Sequence, residues 1–196
     1  MMNKPFSQAC ENNKQPILSV ITDYFVSGTI LEIGSGTGQH AVYFAQRLEN
    51  VFWQTSDQIH YHDGMKLWLA EYQGANLGQP YVLDVNQSWP LTEADGVFSA
   101  NTAHIMSWSA VENMFKGVSD ILQPSGYFCL YGPVNINGHY TSPSNEAFDH
   151  SLRSSDPSMG IRDLETLQAL AESHGLVYIR LHQMPANNVL MVWQKP

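Results

Sequence analysis

The stretch "LEIGSGTGQH", Leu31 to His40, decides the fold of this 196-residue chain. An apolar run is followed by three glycines at alternate positions and then by a helix-forming segment, the pattern of a buried strand that enters a helix through a glycine loop. At Gly34, Gly36 and Gly38 the backbone can approach a ligand or a neighbouring helix closely. The stretch therefore predicts a nucleotide-bearing ligand at the carboxyl end of a parallel strand.

The composition indicates one globular domain. Apolar residues make up 43% and charged residues 14% of the chain, and this length suffices for one full hydrophobic core. Nine Lys and Arg residues stand against 18 Asp and Glu residues, for a formal net charge of −9. This balance disfavours nucleic acid as a partner, because phosphate contacts require clustered basic side chains. We expect a single domain over residues 1–196, with a small molecule as its substrate.

Cysteine and histidine content disfavours disulfides and metal ligation. Cys10 and Cys129 are too few and too far apart for a disulfide framework or a thiolate site. The histidines are scattered, and the only close pair, His60 and His62, is expected on the surface or in a loop, so no metal site is predicted. The N terminus lacks a secretory apolar segment and no run approaches a membrane span, so we expect a cytoplasmic protein.

Alternating helical and strand patterns predict a doubly wound α/β fold. A helix over about residues 12–27 has Asn12 or Asn13 as its cap and ends at Gly28. The runs "LVYIRLH" and "VLMVWQ", joined by "PANN", predict a hairpin. We expect a Rossmann-like, mainly parallel seven-stranded sheet with an antiparallel last strand and helices on both faces. The other predicted strands lie at 29–33, 51–57, 81–85, 96–101 and 127–132. Four further helices are predicted: one directly after the glycine loop, one near 61–73, one before the turn "QPSG" and one over about 163–174.

Residues 133–160 interrupt this alternation. The segment is rich in Asn, Ser, Pro and Gly and is too long for a simple connection. Within it Asn145, Asp149 and Arg153 recur at intervals of four, so in a helix they share one face and Asp149 pairs with Arg153. That face is either solvated or turned toward substrate. The position of the segment after strand five favours a lid over the substrate.

The glycine spacing discriminates between cofactors. The dinucleotide fingerprint requires a third glycine where Gln39 stands, and no tyrosine is followed four residues later by lysine, as a short-chain dehydrogenase would require. Asp57, about 23 residues after Gly34, suits the ribose hydroxyls of NAD and S-adenosylmethionine equally. Asp84 closes the third predicted strand, where an adenine amino group needs an acceptor. The pattern favours S-adenosyl-L-methionine as the cofactor.

These motifs, with "LDV" and "NTAHIMSW", resemble those of class I S-adenosylmethionine-dependent methyltransferases. More narrowly, "ENNKQPI", "SPSNEAFDHSLRSSDP", "GIRDLE" and "MPANN" are similar to a small methyltransferase-like family of unknown function. The resemblance extends from about Ala9 to Trp193 and implies the fold and the cofactor, but no substrate. One departure is visible, since Asn12 stands where such proteins commonly have Arg.

The cofactor residues are expected in the glycine loop and at the ends of strands one to four. In similar enzymes Glu32 faces the pocket, where it meets the ammonium group of the methionine portion. Val85 is expected to offer a backbone N–H and an apolar wall beside the adenine, and Asn101 to lie beside the transferable methyl. The full set is Glu32, Gly34, Ser35, Gly36, Gly38, Asp57, Asp84, Val85 and Asn101.

Two candidates for catalysis follow strands four and five. His104 either takes a proton from a substrate hydroxyl or amine or merely caps the following helix. Tyr131 either points into the same space or packs in the core, and Trp108 is expected as a wall or core aromatic. The expected substrate contacts are Asn13, Trp108, Asn145, Asp149 and Arg153.

The predicted function is transfer of a methyl group from S-adenosylmethionine to an unidentified small-molecule acceptor. The alternative is a non-catalytic module that binds S-adenosylmethionine or S-adenosylhomocysteine. A nicotinamide oxidoreductase is disfavoured by the glycine spacing. A second pocket enclosed by Asn101, His104 and the 133–160 insert distinguishes the enzyme from the binding module.

Overall fold

Seven strands form the central sheet of the computed structural model, which describes residues 3–196. The strands of the chain are β1 (Gly28–Ile33), β2 (Val51–Asp57), β3 (Leu77–Val82), β4 (Ala94–Ala100), β5 (Leu122–Gly132), β6 (Val134–Ile136), β7 (His139–Tyr140), β8 (Arg162–Asp163), β9 (Val177–Met184) and β10 (Asn188–Gln194). The central order is β3-β2-β1-β4-β5-β10-β9. Strand order therefore reverses between β1 and β4, which opens a crevice at the carboxyl ends of these two strands.

Helices cover both faces of this sheet. They are α1 (Gln8–Ile21), α2 (Gln39–Ala45), α3 (His62–Leu69), α4 (Trp108–Ile121), α5 (Pro143–Ser155) and α6 (Leu164–Ser173). Ile30 packs with buried residues of α1 and α2, whereas its neighbour Leu31 packs with those of α4 and α6, because successive strand residues point to opposite faces. None of the helices in residues 3–196 is long and apolar enough to span a membrane.

The predicted fold class is confirmed. β1, β2, β3, β4 and β5 pair in parallel, and β10 pairs antiparallel with both β5 and β9. The predicted hairpin is also present, since β9 and β10 are joined through a tight turn in which Ala186 and Asn187 have φ angles of 57° and 58°. Two consecutive left-handed residues give the turn the twist that adjacent antiparallel strands require.

The N-terminal helix differs from the prediction at both ends. It spans Gln8–Ile21, and its cap is Ser7, whose hydroxyl accepts a hydrogen bond from the Cys10 N–H at 3.3 Å. Asn13, predicted as a cap, is instead buried inside the helix. The helix ends well before Gly28 because the chain must turn back to enter β1.

Four further boundaries were wrong. The third strand is β3 (Leu77–Val82), so Asp84 and Val85 lie in the loop beyond it, and the predicted helix near 61–73 is the shorter α3. The fourth strand ends at Ala100. The sequence "QPSG" does not terminate α4 as a separate turn but forms a bulge inside β5, where Ser125 has a φ of 68° and its N–H donates to the Lys195 carbonyl at 2.7 Å.

The 133–160 insert folds into β6, β7 and α5, and β6 pairs with β7 and β8 in a second, three-stranded sheet. The buried carboxylate of Asp149 organises it. That carboxylate accepts hydrogen bonds from the Ile161 N–H at 2.6 Å, the Arg153 guanidinium at 2.7 Å and the Tyr140 hydroxyl at 2.8 Å. These hydrogen bonds lower the pKa of Asp149 despite its burial. One side chain therefore ties α5 to β7 and to the segment that leads into β8.

We expect Asp149→Ala to lower the free energy of unfolding by about 1–3 kcal/mol, because a buried N–H and a hydroxyl lose their acceptor. Urea denaturation measures this change, and limited proteolysis within residues 141–160 should become faster. The matched control is Ser151→Ala, an exposed position on the same helix. Equal stability of the two variants would contradict the anchoring role of Asp149.

Candidate functional site

A cavity of about 910 Å³ lies at the carboxyl ends of β1, β2 and β4. Its walls come from the start of α1, the glycine loop, the segment after β4, α5 and the β9–β10 turn. A second cavity of about 310 Å³ adjoins it and shares Gly34, Asp57, Gln58, Ile105 and Met106 with it. Asp84 and Val85 line this smaller cavity. The two form one cleft across the switch point of the sheet, where ligands of such folds bind.

Glycine is needed at these three positions for different structural reasons. All have positive φ angles, of 73°, 55° and 86° for Gly34, Gly36 and Gly38. A Cβ at Gly34 would lie 2.6 Å from Thr102, and one at Gly38 would lie 3.0 Å from Met65, so these positions need glycine for packing. A Cβ at Gly36 would have no neighbour within 4 Å. Because Gly36 lines the larger cavity, its missing side chain leaves room for a ligand beside the backbone.

The Asp57 carboxylate closes the glycine loop onto β2. Oδ2 accepts a hydrogen bond from the Gly36 N–H at 2.8 Å, and Oδ1 accepts one from the Gln58 N–H at 2.7 Å. Burial raises the pKa of Asp57, and these two hydrogen bonds oppose that rise. Asp57 lines both cavities. Its remaining acceptor positions are available to hydroxyl groups of a ligand.

Glu32, expected to face the pocket, lies in β1 and is absent from the lining of both cavities. Its carboxylate is buried and accepts a hydrogen bond from the Trp53 indole N–H at 3.0 Å. Burial raises the pKa of Glu32 to about 7, against the opposing effect of this hydrogen bond. The contact of Glu32 with an ammonium group therefore stays a prediction.

His104 lies in the wall of the larger cavity, after β4. Its ring meets the Phe148 ring of α5 edge to face, with centroids 5.2 Å apart. Burial, and then the positive charge of Arg162, lowers the pKa of His104 to about 4. The imidazole is therefore neutral at physiological pH and has one nitrogen able to accept a proton. Asn101, with a φ of 60°, lines the same wall.

Arg162 fixes the segment that carries His104. Its guanidinium donates to the Ala103 carbonyl at 3.1 Å, to the Met106 carbonyl and to the Ser158 carbonyl at 3.0 Å. The Gly160 N–H also donates to the His104 carbonyl at 2.9 Å. The end of the insert is therefore hydrogen-bonded directly to the His104 segment.

Besides Glu32 and Gly38, five predicted site residues line neither cavity in residues 3–196. Tyr131 packs in the core, which is the packing role that the sequence left open. Trp108 packs against the opposite core while its indole N–H donates to Glu112. Asp149 and Arg153 form the predicted pair at 2.7 Å, but they hold the insert together rather than face the cleft.

Asn13 and Asn145 also have structural partners. Asn13, the fifth of these residues, is buried and accepts a hydrogen bond from His40 Nε2 at 2.6 Å. Asn145 does line the larger cavity. Its side-chain amide nitrogen donates to the Thr141 hydroxyl and to the Asn187 carbonyl, so that it joins α5 to the β9–β10 turn.

Histidine positions were the main omission of the sequence analysis. His40 lines the larger cavity, stacks on Phe44 and has its pKa lowered to about 4 by burial. His62, expected on the surface, is buried, and its Nε2 bonds the Asp57 carbonyl at 2.9 Å. A sequence signal existed for His40, because it lies in the first turn of the helix that follows the glycine loop. Phe148 had no such signal.

Solved methyltransferase structures share this fold. An O-methyltransferase family protein from Burkholderia thailandensis has a TM-score of 0.83 and 13% identity, over 95% of this chain and 57% of that one. Human N-acetylserotonin methyltransferase, in complex with S-adenosylmethionine, has a TM-score of 0.79 and 14% identity, over 96% of this chain and 53% of that one. An O-methyltransferase family 2 protein from Planctomyces limnophilus, in complex with apigenin, has a TM-score of 0.79 and 16% identity, over 93% of this chain and 56% of that one. The chain spans little more than half the length of these proteins.

The fold is accordingly that of class I S-adenosylmethionine-dependent methyltransferases, as the sequence motifs implied. The chain belongs to the family described as "Protein of unknown function (DUF938)", whose model matches residues 4–195. The match covers nearly the whole chain and confirms the narrower resemblance.

The raised pKa of Glu32 predicts a pH-dependent stability. An acid whose pKa is higher in the folded state than its ordinary 4.5 stabilises the fold at low pH, and this contribution is lost as the pH rises through about 7. The Glu32→Gln variant keeps an acceptor for Trp53 but cannot ionise. Relative to this variant, we expect the wild-type free energy of unfolding to fall by about 2–3 kcal/mol from about pH 5 to about pH 8.

Urea denaturation of both proteins across this pH range measures the difference. The titrations of His40 and His104 occur in both proteins and cancel when one curve is subtracted from the other. A difference that does not change with pH would show that Glu32 is ionised in the folded protein.

Proposed function

We propose that this protein transfers a methyl group from S-adenosylmethionine to a small-molecule acceptor. The observation that carries the proposal is the single cleft in which Gly36 and Asp57 lie beside His104. The solved structures of the same fold include one with S-adenosylmethionine bound, which supports the choice of donor.

The residues of the cleft fit the donor. Gly36 leaves open space beside its backbone, and the Asp57 carboxylate can accept hydrogen bonds from the two ribose hydroxyls. Asp84 and Val85 line the adjoining smaller cavity, which suits an adenine ring with its amino group on Asp84. S-adenosylmethionine, when bound, supplies a methyl group already activated by its sulfonium sulfur.

The protein then has to bind, align and dehydrate the acceptor. Alignment of two bound reactants alone accelerates a reaction strongly, so no single side chain has to carry the chemistry. The neutral His104 ring can accept the proton that the acceptor releases. Asn145 and Phe148 of α5 cover the same space and reduce the access of water.

Ligand binding tests the donor site. Isothermal titration calorimetry should detect S-adenosylmethionine and S-adenosylhomocysteine but not NAD. Gly36→Leu should abolish this binding, because the side chain would fill the space beside the loop. Asp57→Ala should weaken binding by about 1–3 kcal/mol through the lost ribose hydrogen bonds.

The matched control for Gly36→Leu is Gly175→Leu. Gly175 also has a positive φ, of 76°, and a Cβ there would meet nothing within 4 Å, but it does not line the cleft. The control variant should therefore bind both sulfur ligands as the wild type does. Binding of NAD in place of either sulfur ligand would exclude the proposed donor.

A substitution of His104 tests whether its imidazole acts as the base in methyl transfer. With an acceptor identified by profiling a small-molecule extract with labelled donor, His104→Ala should slow methyl transfer by about 10²–10⁴-fold, the usual contribution of acid–base catalysis. The affinity for S-adenosylhomocysteine should stay nearly unchanged, because the donor contacts lie on the glycine loop and Asp57. Single-turnover transfer and calorimetry measure the two quantities.

Thr102→Ala is a control for the local segment, since Thr102 also lines the cavity but carries no base. A rate for His104→Ala within a few-fold of that for Thr102→Ala would mean that alignment suffices and His104 only shapes the wall. Donor binding without methylation of any compound in the extract would favour the non-catalytic binding module instead.

A further inference from the structure

The charge distribution around the cleft is uneven. Among residues 3–196, Asp57 is the one Asp, Glu, Lys or Arg in the lining of the larger cavity. The carboxylate of Asp57 already accepts hydrogen bonds from two backbone N–H groups and lies on the donor side. The part of the cavity between His104 and α5 therefore has no charged side chain in its wall.

The basic side chains near this part of the cavity lie outside its lining and have their hydrogen bonds committed elsewhere. The Arg162 guanidinium bonds three carbonyl oxygens, and Arg153 forms an ion pair with Asp149. An acceptor with a carboxylate or phosphate group would thus meet no cationic side chain in the cavity wall, at a high desolvation cost. The formal net charge of −9 adds long-range repulsion.

A cationic acceptor is disfavoured for a different reason. The donor brings its own positive sulfonium next to the acceptor, and the acceptor wall offers no carboxylate to offset a second positive charge. The buried carboxylate of Glu32 lies outside this wall and bonds Trp53. The acceptor is therefore neutral in the cleft.

The apolar side chains of the wall suit a flat ring. Phe148 and Ile105 are 41% and 47% exposed although both line the cavity, so they form its mouth. Met106 and Met159 add thioether groups, which pack favourably against aromatic rings. Exposed apolar side chains that converge on one cavity mark a surface that a ligand covers.

The need to release a proton limits which functional group of the acceptor can take the methyl group. An aliphatic amine is a cation at neutral pH, and the uncharged wall disfavours it. The His104 imidazole is a weak base because burial lowers its pKa. A phenol-type hydroxyl, with a pKa of about 10 in tyrosine, is a far easier proton source for such a base than an aliphatic alcohol.

We infer that the acceptor is an uncharged aromatic compound whose hydroxyl group faces His104 while its ring packs against Phe148 and the two methionines. The inference rests on the proposed methyl transfer. In the reaction, the hydroxyl oxygen forms a bond to the methyl carbon as the bond from that carbon to sulfur breaks. The hydroxyl proton passes to the free nitrogen of His104 and from there to water, and the sulfonium leaves as a neutral thioether.

Three compounds that share the 2-naphthol ring system test this inference: 2-naphthol, anionic 6-hydroxy-2-naphthoate and cationic 6-(aminomethyl)-2-naphthol. Their dissociation constants are measured by calorimetry on the full chain, with and without saturating S-adenosylhomocysteine. We expect 2-naphthol to bind at least about tenfold more tightly than either charged compound, because neither charge has a partner in the wall. Tighter binding of a charged compound, or no binding of 2-naphthol, would overturn the inference.

Two variants and one control test where the aromatic ring of the acceptor binds. Phe148→Ala should weaken 2-naphthol binding about tenfold, equivalent to about 1.4 kcal/mol, and leave S-adenosylhomocysteine binding unchanged, while Ser151→Ala on the exposed side of α5 should change neither. Met159→Lys adds a cation to the wall and should shift the preference toward 6-hydroxy-2-naphthoate. Unchanged selectivity in Met159→Lys would place the acceptor elsewhere.

The outcomes of these experiments distinguish the proposed methyl transfer from the proposed class of acceptor. If S-adenosylhomocysteine does not bind, the proposed methyl transfer fails. If it binds and a charged naphthol is preferred, only the assignment of the acceptor fails. Formation of 2-methoxynaphthalene from 2-naphthol and labelled donor would support both.

Discussion

The hydrogen bond from the Gly36 N–H to the Asp57 carboxylate, at 2.8 Å, is the contact on which the cleft depends. It joins the loop after β1 to the end of β2, and the N–H groups of Gly34 and Ser35 add two bonds to the Ser56 carbonyl at 3.0 and 2.9 Å. A loop held in this way keeps the backbone of Gly36 turned toward the cavity with nothing in front of it. The same carboxylate that fixes the loop is thus available to a ligand, which makes the donor side rigid before anything binds.

From this contact the cleft divides into two environments. Carboxylates of Asp57, Asp84 and Asp156 line the proposed donor side, whereas the proposed acceptor side has His104, Met159 and Phe148. Parallel strands end at one edge of the sheet, so side chains distant in sequence meet there, and each loop can differ without altering the core. In this chain the segment after β4 and the insert after β5 supply the acceptor side. Their hydrogen bonds through Arg162 and Gly160 make them one structural unit.

The sequence predicted what depends on local spacing. The glycine loop and Asp57 follow from positions along one strand-loop-helix unit and its neighbour, and both lie where they were expected. Tyr131 was ambiguous because alternate strand residues face opposite layers, and one residue of register separates a cavity wall from the core. The position of His40 in the first turn after the glycine loop was a local signal, but its pairing with Asn13, 27 residues earlier on α1, was not. Pairings of this kind depend on tertiary packing, which no local pattern contains.

The insert shows why position alone does not define a lid. Its place after β5 suggested a segment that closes over substrate, and α5 does lie against the cavity through Asn145 and Phe148. A hinged lid, however, needs few bonds to the body of the protein, since each one must break when the lid opens. Here Asn145 bonds the β9–β10 turn, the Gly160 N–H bonds the His104 carbonyl, and Arg162 ties the end of the insert to the His104 segment. Movement of the whole insert would break these hydrogen bonds to the segment that carries His104, whereas the exposed Phe148 side chain at the mouth can change rotamer without breaking any of them.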